Sequence, residues 1–358
     1  MDRFSTLFGF GVIVGLPSLA LSVVLLAALG SPASGAEPAL AAVLAADMYP
    51  APWLSAVAFG GLIVNRANLT TLFTGFKATF QRGLDQAVSQ HSLVAMTVPS
   101  STRSEEYGWL GTLPSMREWI GDRVVHAIGQ HDYTIKNKDW ELTVGVPRND
   151  IDDDAYGVYS PMFEEMGRST AAHPDELVWP LLKAGFATPC YDGQNFFDTD
   201  HPVTQADGTV ASVSNSGGGA GTPWFLLDLS RSVKPIIFQD RKKAQFVAKT
   251  APTDENVFNA KEFQYGVDSR CNVGFGLWQL AYGSKQALDK AAYATARAAL
   301  QGMKGDHGRP LGLKATHLVV PPSLEGAALE ILNAERDAGG ATNVYKGTAT
   351  PVVVPWLA

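Results

Sequence analysis

The sequence is poor in cysteine and in charge. Only two cysteines, Cys190 and Cys271, occur in 358 residues, which excludes a disulfide framework and a zinc site built from cysteines. We expect both to be buried free thiols, typical of a protein from a reducing compartment. Charged residues make up 18% of the chain, below the usual share of about 25%, and most of this deficit lies near the N-terminus.

An excess of positive charge is also lacking. The formal net charge is -7, whereas a surface that reads nucleic acid needs lysine and arginine to neutralise phosphates. Specific nucleic-acid recognition is therefore not expected. The short basic cluster Arg241–Lys243 is interpreted as a solvated edge or a subunit contact. A chain of this length can bury a sizeable core and divide into more than one subdomain.

Familiar catalytic and nucleotide-binding motifs are missing. The segment Gly217–Gly221 is rich in glycine but has neither the GxGxxG nor the GxxxxGK spacing, which favours a flexible linker. There is no GxSxG elbow, and no nucleophile, base and orienting group fall into one pattern. We therefore predict no enzyme activity, no catalytic or cofactor-binding residues, no metal ligands and no cofactor. Five further histidines are scattered singly along the chain: His126, His131, His173, His307 and His317.

The strongest enzyme-like cluster is formed by Asp192, Asp198, Asp200 and His201. Carboxylate and imidazole groups of this kind can bind a metal ion, but their spacing matches no calcium loop and no zinc pattern. Asx and His-Pro turns explain the same residues. A metal-dependent hydrolase built around Asp192–His201 is kept as an alternative function.

The N-terminus carries an uncharged apolar run, Leu7–Leu29, which is long enough to span a bilayer. Three interpretations compete: a signal peptide, a membrane anchor, and a mis-assigned start that leaves residues 1–61 outside the folded protein. The first is weakened because Asp2 and Arg3 cancel where a signal peptide needs positive charge. A membrane-anchored or exported structural protein is thus a second alternative.

One long segment, Val146–Gly185, organises the rest of the chain. Its apolar residues recur every three or four positions, which predicts a helix with one buried face. Asn149 and Asp150 are expected to cap its start, Asp152–Asp154 to complement the helix dipole, and Gly185 to end it. Interior prolines disrupt helices, so kinks or breaks are expected at Pro161, Pro174 and Pro180.

Two further elements are predicted before this helix. Apolar residues from Leu69 to Leu84 describe an amphipathic helix with Asn68 as N-cap. Gly75 and Gly83 weaken it, so it is interpreted as an arm that a neighbour orders. Alternating residues then predict a β-hairpin with a charged tip. Its strands are Tyr133–Ile135 and Trp140–Val146, and its tip is Lys136-Asn137-Lys138.

The last third of the sequence alternates strands and helices. Helices are predicted at Ala287–Leu300 and Ser323–Leu332, and strands at Thr316–Val320 and Ala349–Trp356. This order favours a small α/β module at the C-terminus.

Several long strings together identify a family. From about residue 63 onward the sequence resembles the major head subunits of Mu-like phages and prophages, a branch of the HK97-fold capsid proteins. The resemblance covers more than four-fifths of the chain, and such members begin near Ile63. The strings are SSTRSEEYGWLGTLPSMREWIGDR (Ser100–Arg123), EMGRS (Glu165–Ser169), HPDEL (His173–Leu177), ATPCYDGQNFFDTDHPV (Ala187–Val203), SRSVKPIIFQDRKK (Ser230–Lys243) and LGLKATHLVVPPSLEGAALEILN (Leu311–Asn333).

The resemblance implies an α+β, HK97-like capsid fold. Its parts would be an N-terminal arm at 62–103, an extended hairpin (the E-loop) at 104–146, a peripheral domain with a long spine helix at 147–286, and an axial α/β domain at 287–358. The peripheral domain would close before the axial domain begins. No motif here supports a lysine–asparagine cross-link.

The implied function is that of a major capsid protein whose copies form an icosahedral shell around double-stranded phage DNA. The implied partners are copies of itself in pentamers and hexamers, scaffold and portal proteins, and the packaged DNA, bound without sequence recognition. The implied location is the virion capsid, assembled in the bacterial cytoplasm.

Overall fold

The computed structural model of the chain describes residues 65–111, 133–153, 156–337 and 339–358. The expectations for residues 1–61, which include the apolar run Leu7–Leu29, and those for His126, His131 and Asp154 lie outside these ranges. Among the described residues, no helix combines the length and the hydropathy that a membrane crossing requires.

Seven α-helices and fifteen strands are described. The helices are α1 (Arg66–Gln86), α2 (His91–Val94), α3 (Arg148–Asp152), α4 (Ser160–Ala184), α5 (Glu255–Ala260), α6 (Lys290–Gln301) and α7 (Glu325–Leu332). The strands are β1 (Ala95–Pro99), β2 (Ser104–Glu106), β3 (Thr134–Lys136), β4 (Lys138–Pro147), β5 (His201–Thr204), β6 (Val210–Val213), β7 (Ser216–Gly219), β8 (Trp224–Leu227), β9 (Ile236–Lys249), β10 (Glu262–Phe275), β11 (Ala281–Lys285), β12 (Lys304–Gly305), β13 (Arg309–Pro310), β14 (His317–Val320) and β15 (Thr350–Val353).

A four-stranded sheet, in the order β1-β9-β10-β4, combines two strands from the first half of the chain with two from the second half. The antiparallel strands β9 and β10 are 14 residues long each, and β1 joins β9 in parallel. Helices α1 and α4 cover one face of this sheet through aromatic contacts. The ring of Phe76 on α1 stacks on Phe163 of α4 at 4.2 Å and meets Tyr265 of β10 edge-on at 5.1 Å.

Helix α1 confirms the predicted amphipathic helix, with Leu69, Leu72, Phe76 and Phe80 buried. The predicted N-cap was wrong. Asn65, three residues before Asn68, is the cap, because its side-chain oxygen accepts a hydrogen bond from the Asn68 amide at 2.9 Å. Gly83 does not loosen the helix either, since it is buried against α4.

The long segment divides into α3, a 3₁₀ turn at Tyr156–Tyr159, and α4. Pro161 lies in the first turn of α4, where proline costs nothing because that amide has no helical partner. Of the kinks or breaks expected at Pro174 and Pro180, the breaks were wrong, because α4 continues through both prolines to its C-cap, Gly185; a kink at either proline stays a prediction. Its second half is held by buried Val178, Trp179 and Leu182, and packing of this kind can override a local helix breaker.

The predicted acidic caps of the long segment have other roles. Helix α3 begins at Arg148, after Pro147, without a side-chain cap. Asp150 instead accepts a hydrogen bond from the Tyr159 hydroxyl, and Asp152 forms an ion pair with Arg148 at 3.7 Å.

The hairpin predicted around Lys136-Asn137-Lys138 was wrong. Strand β3 pairs with β2, and β4 pairs with β10 over ten residue pairs from Pro147 to Lys138. Asn137 is only 5% exposed and is therefore no solvent-facing tip. Alternation predicted both strands correctly, but it contains no information about which strand each one pairs with.

The C-terminal half is built on a five-stranded sheet in the order β15-β14-β8-β11-β7. The predicted strands at Thr316–Val320 and Ala349–Trp356 are confirmed as β14 and β15. The helices predicted there are α6 and α7, and α6 begins after its N-cap, Asp289.

Two expectations for this sheet need correction. Three of its strands, β7, β8 and β11, precede residue 287, so the last third is not a closed module and the earlier region does not finish before it begins. The glycine-rich segment is no linker, because Ser216–Gly219 forms the edge strand β7. Gly217 is needed there: a Cβ at this position would lie 2.6 Å from the Ser284 hydroxyl oxygen.

Candidate functional site

The loop between α4 and β5 holds the predicted cluster, and His201 lies at its centre. The His201 side chain is fully buried and stacks flat on the indole of Trp278, with ring centroids 3.9 Å apart and planes 9° apart. Its Nδ1 lies 2.7 Å from the Asp192 carboxylate. These contacts hold the loop that follows α4 against the segment between β10 and β11, which contains Trp278.

The Asp192 carboxylate is bonded on its other side as well. One oxygen accepts hydrogen bonds from the Gln194 amide and the Cys190 thiol, both at 3.1 Å. Burial alone would raise the pKa of Asp192, but the hydrogen bonds from His201, Cys190 and Gln194 together hold that pKa below its usual range. Asp192 is therefore an ionised acceptor at neutral pH.

Asn215 completes this arrangement from the start of β7. Its side-chain oxygen accepts a hydrogen bond from the Asp198 amide at 2.9 Å and lies 3.3 Å from His201 Nε2. Its side-chain nitrogen donates to the Phe196 carbonyl at 2.8 Å. Both nitrogens of His201 thus face hydrogen-bonding groups of the protein.

The structure brings the four predicted residues together as two separate pairs, Asp192 with His201 and Asp198 with Asp200. Asp192 and His201 meet, whereas the Asp198 carboxylate accepts hydrogen bonds from Asn195 and Thr199, and Asp200 is exposed. These bonds are the Asx turns that the sequence suggested. Sequence analysis missed Cys190 as a neighbour of His201, although its position two residues before Asp192 was a local signal.

Cys190, Asp192 and His201 place potential ligand atoms within 4.8 Å of one another. Burial, followed by the charge of Asp192, raises the pKa of the Cys190 thiol well above its usual value, whereas the thiolate is the form that binds metals and acts as a nucleophile. Cys190, Asp192 and His201 form a hydrogen-bonded group that holds the loop in place. Both cysteines are free and buried, as predicted.

The described surface carries large apolar side chains at several positions. Phe258, on α5 at the turn between β9 and β10, is 81% exposed, and Val158, just before α4, is 73% exposed. Strand β4 is an edge strand with a neighbour on one side only. All three members of the basic cluster Arg241–Lys243 are exposed, and Lys242 pairs with Asp268.

Comparison with known proteins identifies the family of this chain. A family model described as the Mu-like prophage major head subunit gpT matches residues 69–357. The chain belongs to this family. It is 46% identical over 305 residues to the major capsid protein of Escherichia phage Mu, an alignment that covers 83% of this chain and 100% of that protein. It is also 46% identical over 293 residues to the FluMu prophage major head subunit of Haemophilus influenzae, covering 79% of this chain and 95% of that protein.

Solved structures agree with this family assignment. A chain of the bacteriophage JBD30 procapsid matches with a TM-score of 0.74 and 47% identity, covering 82% of this chain and 100% of that chain. A chain of the JBD30 capsid matches with a TM-score of 0.67 and 35% identity, covering 83% of this chain and 100% of that chain. The α+β, HK97-like fold and the function of a major head subunit are thus confirmed. The hydrolase and membrane-anchored alternatives receive no support.

Proposed function

We propose that this head subunit assembles with copies of itself, as pentamers and hexamers, into an icosahedral shell that encloses double-stranded phage DNA. The observation that carries the proposal is the likeness to procapsid and capsid chains of JBD30, with TM-scores of 0.74 and 0.67. A closed shell needs one subunit surface to bind a different surface of the next copy.

Surface features of the described residues support such contacts. Burying an aromatic or aliphatic side chain contributes about 1.5–3 kcal/mol, so exposed Phe258 and Val158 can contribute this free energy in an interface. The ten-residue edge of β4 offers unpaired backbone groups, which strand edges use to bind a further chain. These features suit a subunit that acts through contacts with its own kind.

The domain assignment forms part of the proposal. Residues 62–103 act as the N-terminal arm, 104–146 contain the extended hairpin, 147–286 act as the peripheral domain with α4 as its spine, and 287–358 supply the C-terminal part of the axial domain. The pairing of β2 with β3 supports these strands as the base of the extended hairpin. The axial domain shares its five-stranded sheet with β7, β8 and β11, which precede its boundary.

The proposal extends to partners and location. Scaffold and portal proteins are the expected assembly partners, and packaged DNA is held without sequence recognition, in keeping with a net charge of -7. Assembly takes place in the bacterial cytoplasm, where two free buried thiols are stable. Among the described residues, the Cys190–Asp192–His201 cluster gives no support for a catalytic role, because burial raises the pKa of the Cys190 thiol and both nitrogens of His201 face hydrogen-bonding groups.

Electron microscopy of the purified full chain tests the proposal. Negative-stain images and sedimentation velocity, at increasing protein concentration and with added scaffold protein, should show rings, curved lattices or shells. A chain that stays monomeric under all of these conditions contradicts the proposal.

A further inference from the structure

The short hairpin formed by β2 and β3 is joined to the four-stranded sheet through two short connections. Its ladder has three residue pairs, from Ser104–Lys136 to Glu106–Thr134, and it forms a sheet of its own beside the four-stranded sheet. One strand is connected to β1 by residues 100–103, and the other is connected to β4 by Asn137 alone. No shared backbone ladder fixes the angle between the hairpin and the four-stranded sheet.

Gln239, on β9, reaches both sides of the hairpin base. Its side chain is fully buried, and its Nε2 donates to the Ile135 carbonyl at 3.1 Å and to the Asn137 side-chain oxygen at 2.7 Å. Its Oε1 accepts a hydrogen bond from the Tyr107 hydroxyl at 2.8 Å. A single side chain of the large sheet thus binds residues that belong to both hairpin strands or follow directly from them.

Asn137 links the two connections to each other. Its side-chain nitrogen donates to the Ser100 hydroxyl and the Thr102 carbonyl, both at 2.9 Å, and its backbone amide donates to the Arg103 carbonyl at 3.0 Å. The side-chain hydrogen bonds of Asn137, including the one that its oxygen accepts from Gln239, all require the same orientation of its amide group. A buried network whose members are all satisfied specifies a single geometry, because any other arrangement leaves polar atoms unpaired.

The apolar contact between the hairpin and the large sheet constrains the angle of the hairpin less than the hydrogen bonds do. Ile135 rests on Gly274 of β10, where a Cβ would lie only 2.3 Å from the Ile135 Cδ1 atom. Hydrophobic contacts of this kind stabilise an approach but do not prescribe a direction.

Two further hydrogen bonds reach the hairpin from β10: the Asn272 side chain donates to the Lys136 carbonyl and the Phe275 amide donates to the Tyr133 hydroxyl, both at 2.7 Å. Both of these bonds lie on the β3 side, whereas the amide network joins both hairpin connections to β9. The amide network therefore contributes most to the angle at which the hairpin leaves the large sheet.

We propose that Asn137 and Gln239 form a pivot that holds the β2–β3 hairpin at one angle to the four-stranded sheet. This inference rests on the proposed function for its consequence: in a shell, the pivot sets the direction in which the hairpin meets a neighbouring subunit, and hence the curvature of the lattice. Substitutions that weaken the pivot should leave the fold intact but allow the β2–β3 hairpin to adopt more than one angle to the four-stranded sheet.

Hydrogen exchange of the full chain tests the pivot itself. Tyr107→Phe removes one hydrogen bond of the network and keeps the ring. Gln239→Leu removes the three hydrogen bonds that Gln239 forms and leaves those from Asn137 to Ser100, Thr102 and Arg103. Gln245→Leu is the matched control on the exposed face of β9. We expect the amides of Tyr107 and Asn137 to exchange at least tenfold faster in Gln239→Leu, and severalfold faster in Tyr107→Phe. Amides at Phe246 and Val267, and all amides of the control, should keep wild-type rates. Wild-type exchange at the hairpin base in Gln239→Leu overturns the pivot, and if that variant does not fold, Tyr107→Phe decides in the same way.

Particle imaging tests the consequence. Wild-type and control chains should give one narrow distribution of particle diameters, whereas the two pivot variants should give a broader distribution with open or irregular lattices. Pivot variants whose particles match the wild type in diameter and regularity overturn the proposed effect on curvature. If the wild-type chain itself forms no lattice, the proposed function fails, while the exchange experiment still decides whether the pivot exists.

Discussion

Gly83 and Gly167 face each other where α1 crosses α4. A Cβ at Gly83 would lie 1.9 Å from the Glu164 carbonyl oxygen, and a Cβ at Gly167 would lie 2.1 Å from the Phe80 carbonyl oxygen. The two helix backbones are therefore in direct contact, at a distance that only glycine allows on both sides. An N-terminal helix that the sequence suggested to be a loose arm is packed tightly onto the long helix.

Alanine substitutions at Gly75 and Gly83, the two glycines of α1, should have opposite effects on stability. Gly83→Ala forces the helices apart, so we expect a loss of about 1–3 kcal/mol in the free energy of unfolding, as for overpacked sites. Gly75 is exposed, and no atom lies within 4 Å of the position that a Cβ would take there, so Gly75→Ala should stabilise the chain by about 0.5–1 kcal/mol. Urea unfolding of both variants measures the difference, and equal effects would contradict the close crossing.

Glu105 should make the hairpin base sensitive to acid. Its carboxylate accepts hydrogen bonds from the amides of Ser101 and Thr102 and from the hydroxyls of Ser100 and Thr102. The Ser101 amide, followed by the other donors, lowers the pKa of Glu105 to about 2. Because the folded-state pKa lies below the unfolded value of about 4.3, this stabilisation is complete above that value and is lost as the pH falls towards 2.

Thermal unfolding at pH 7, 4 and 2.5 checks whether the stability contributed by Glu105 falls with pH. Glu105→Gln should be less stable than the wild type at pH 7, and the difference should shrink at pH 2.5. Glu106→Gln, an exposed neighbour on the same strand, should follow the wild type throughout. A deficit of Glu105→Gln that does not change with pH would show that the carboxylate charge is not involved.

Local patterns predicted elements well and their partners poorly. The three- and four-residue spacing of Leu69, Leu72, Phe76 and Phe80 identified α1, since burial of one helix face leaves that pattern. The alternation around Trp140 identified β4, but its pairing with β10 depends on residues more than a hundred positions away. A local pattern contains no record of such a partner.

Glycine and polar residues gave the least reliable predictions, for a physical reason. Gly217 and Gly83 were interpreted as sources of flexibility, yet each lies where a neighbouring atom leaves no room for a methyl group. Composition cannot distinguish a glycine that loosens the chain from one that permits close contact. Asp192 and His201 were grouped correctly because they are near in sequence, whereas Asn215 joined them only through the fold.

The Asp192–His201 pair should stabilise the fold without a metal ion. Asp192→Ala leaves the buried Nδ1 of His201 without its hydrogen-bond partner, so we expect a loss of about 1–3 kcal/mol in the free energy of unfolding. Asp200→Ala, which alters an exposed carboxylate one residue before His201, should change it by less than about 0.5 kcal/mol. Treatment with EDTA should leave the melting temperature unchanged, and elemental analysis should find no stoichiometric metal. A bound ion whose removal lowers the melting temperature would contradict this account.

Phe258 should contribute to assembly and hardly at all to folding. Its side chain is 81% exposed, so Phe258→Glu should change the free energy of unfolding by less than about 0.5 kcal/mol. In an interface the same substitution removes apolar burial and introduces a charge that is costly to desolvate, so the concentration needed for assembly should rise at least tenfold. Light scattering during assembly measures this concentration, and Gln245→Glu, which adds the same charge on exposed β9, is the matched control. If Phe258→Glu assembles at the wild-type concentration, Phe258 lies outside every subunit contact; if both variants fail equally, net charge and not the Phe258 contact limits assembly.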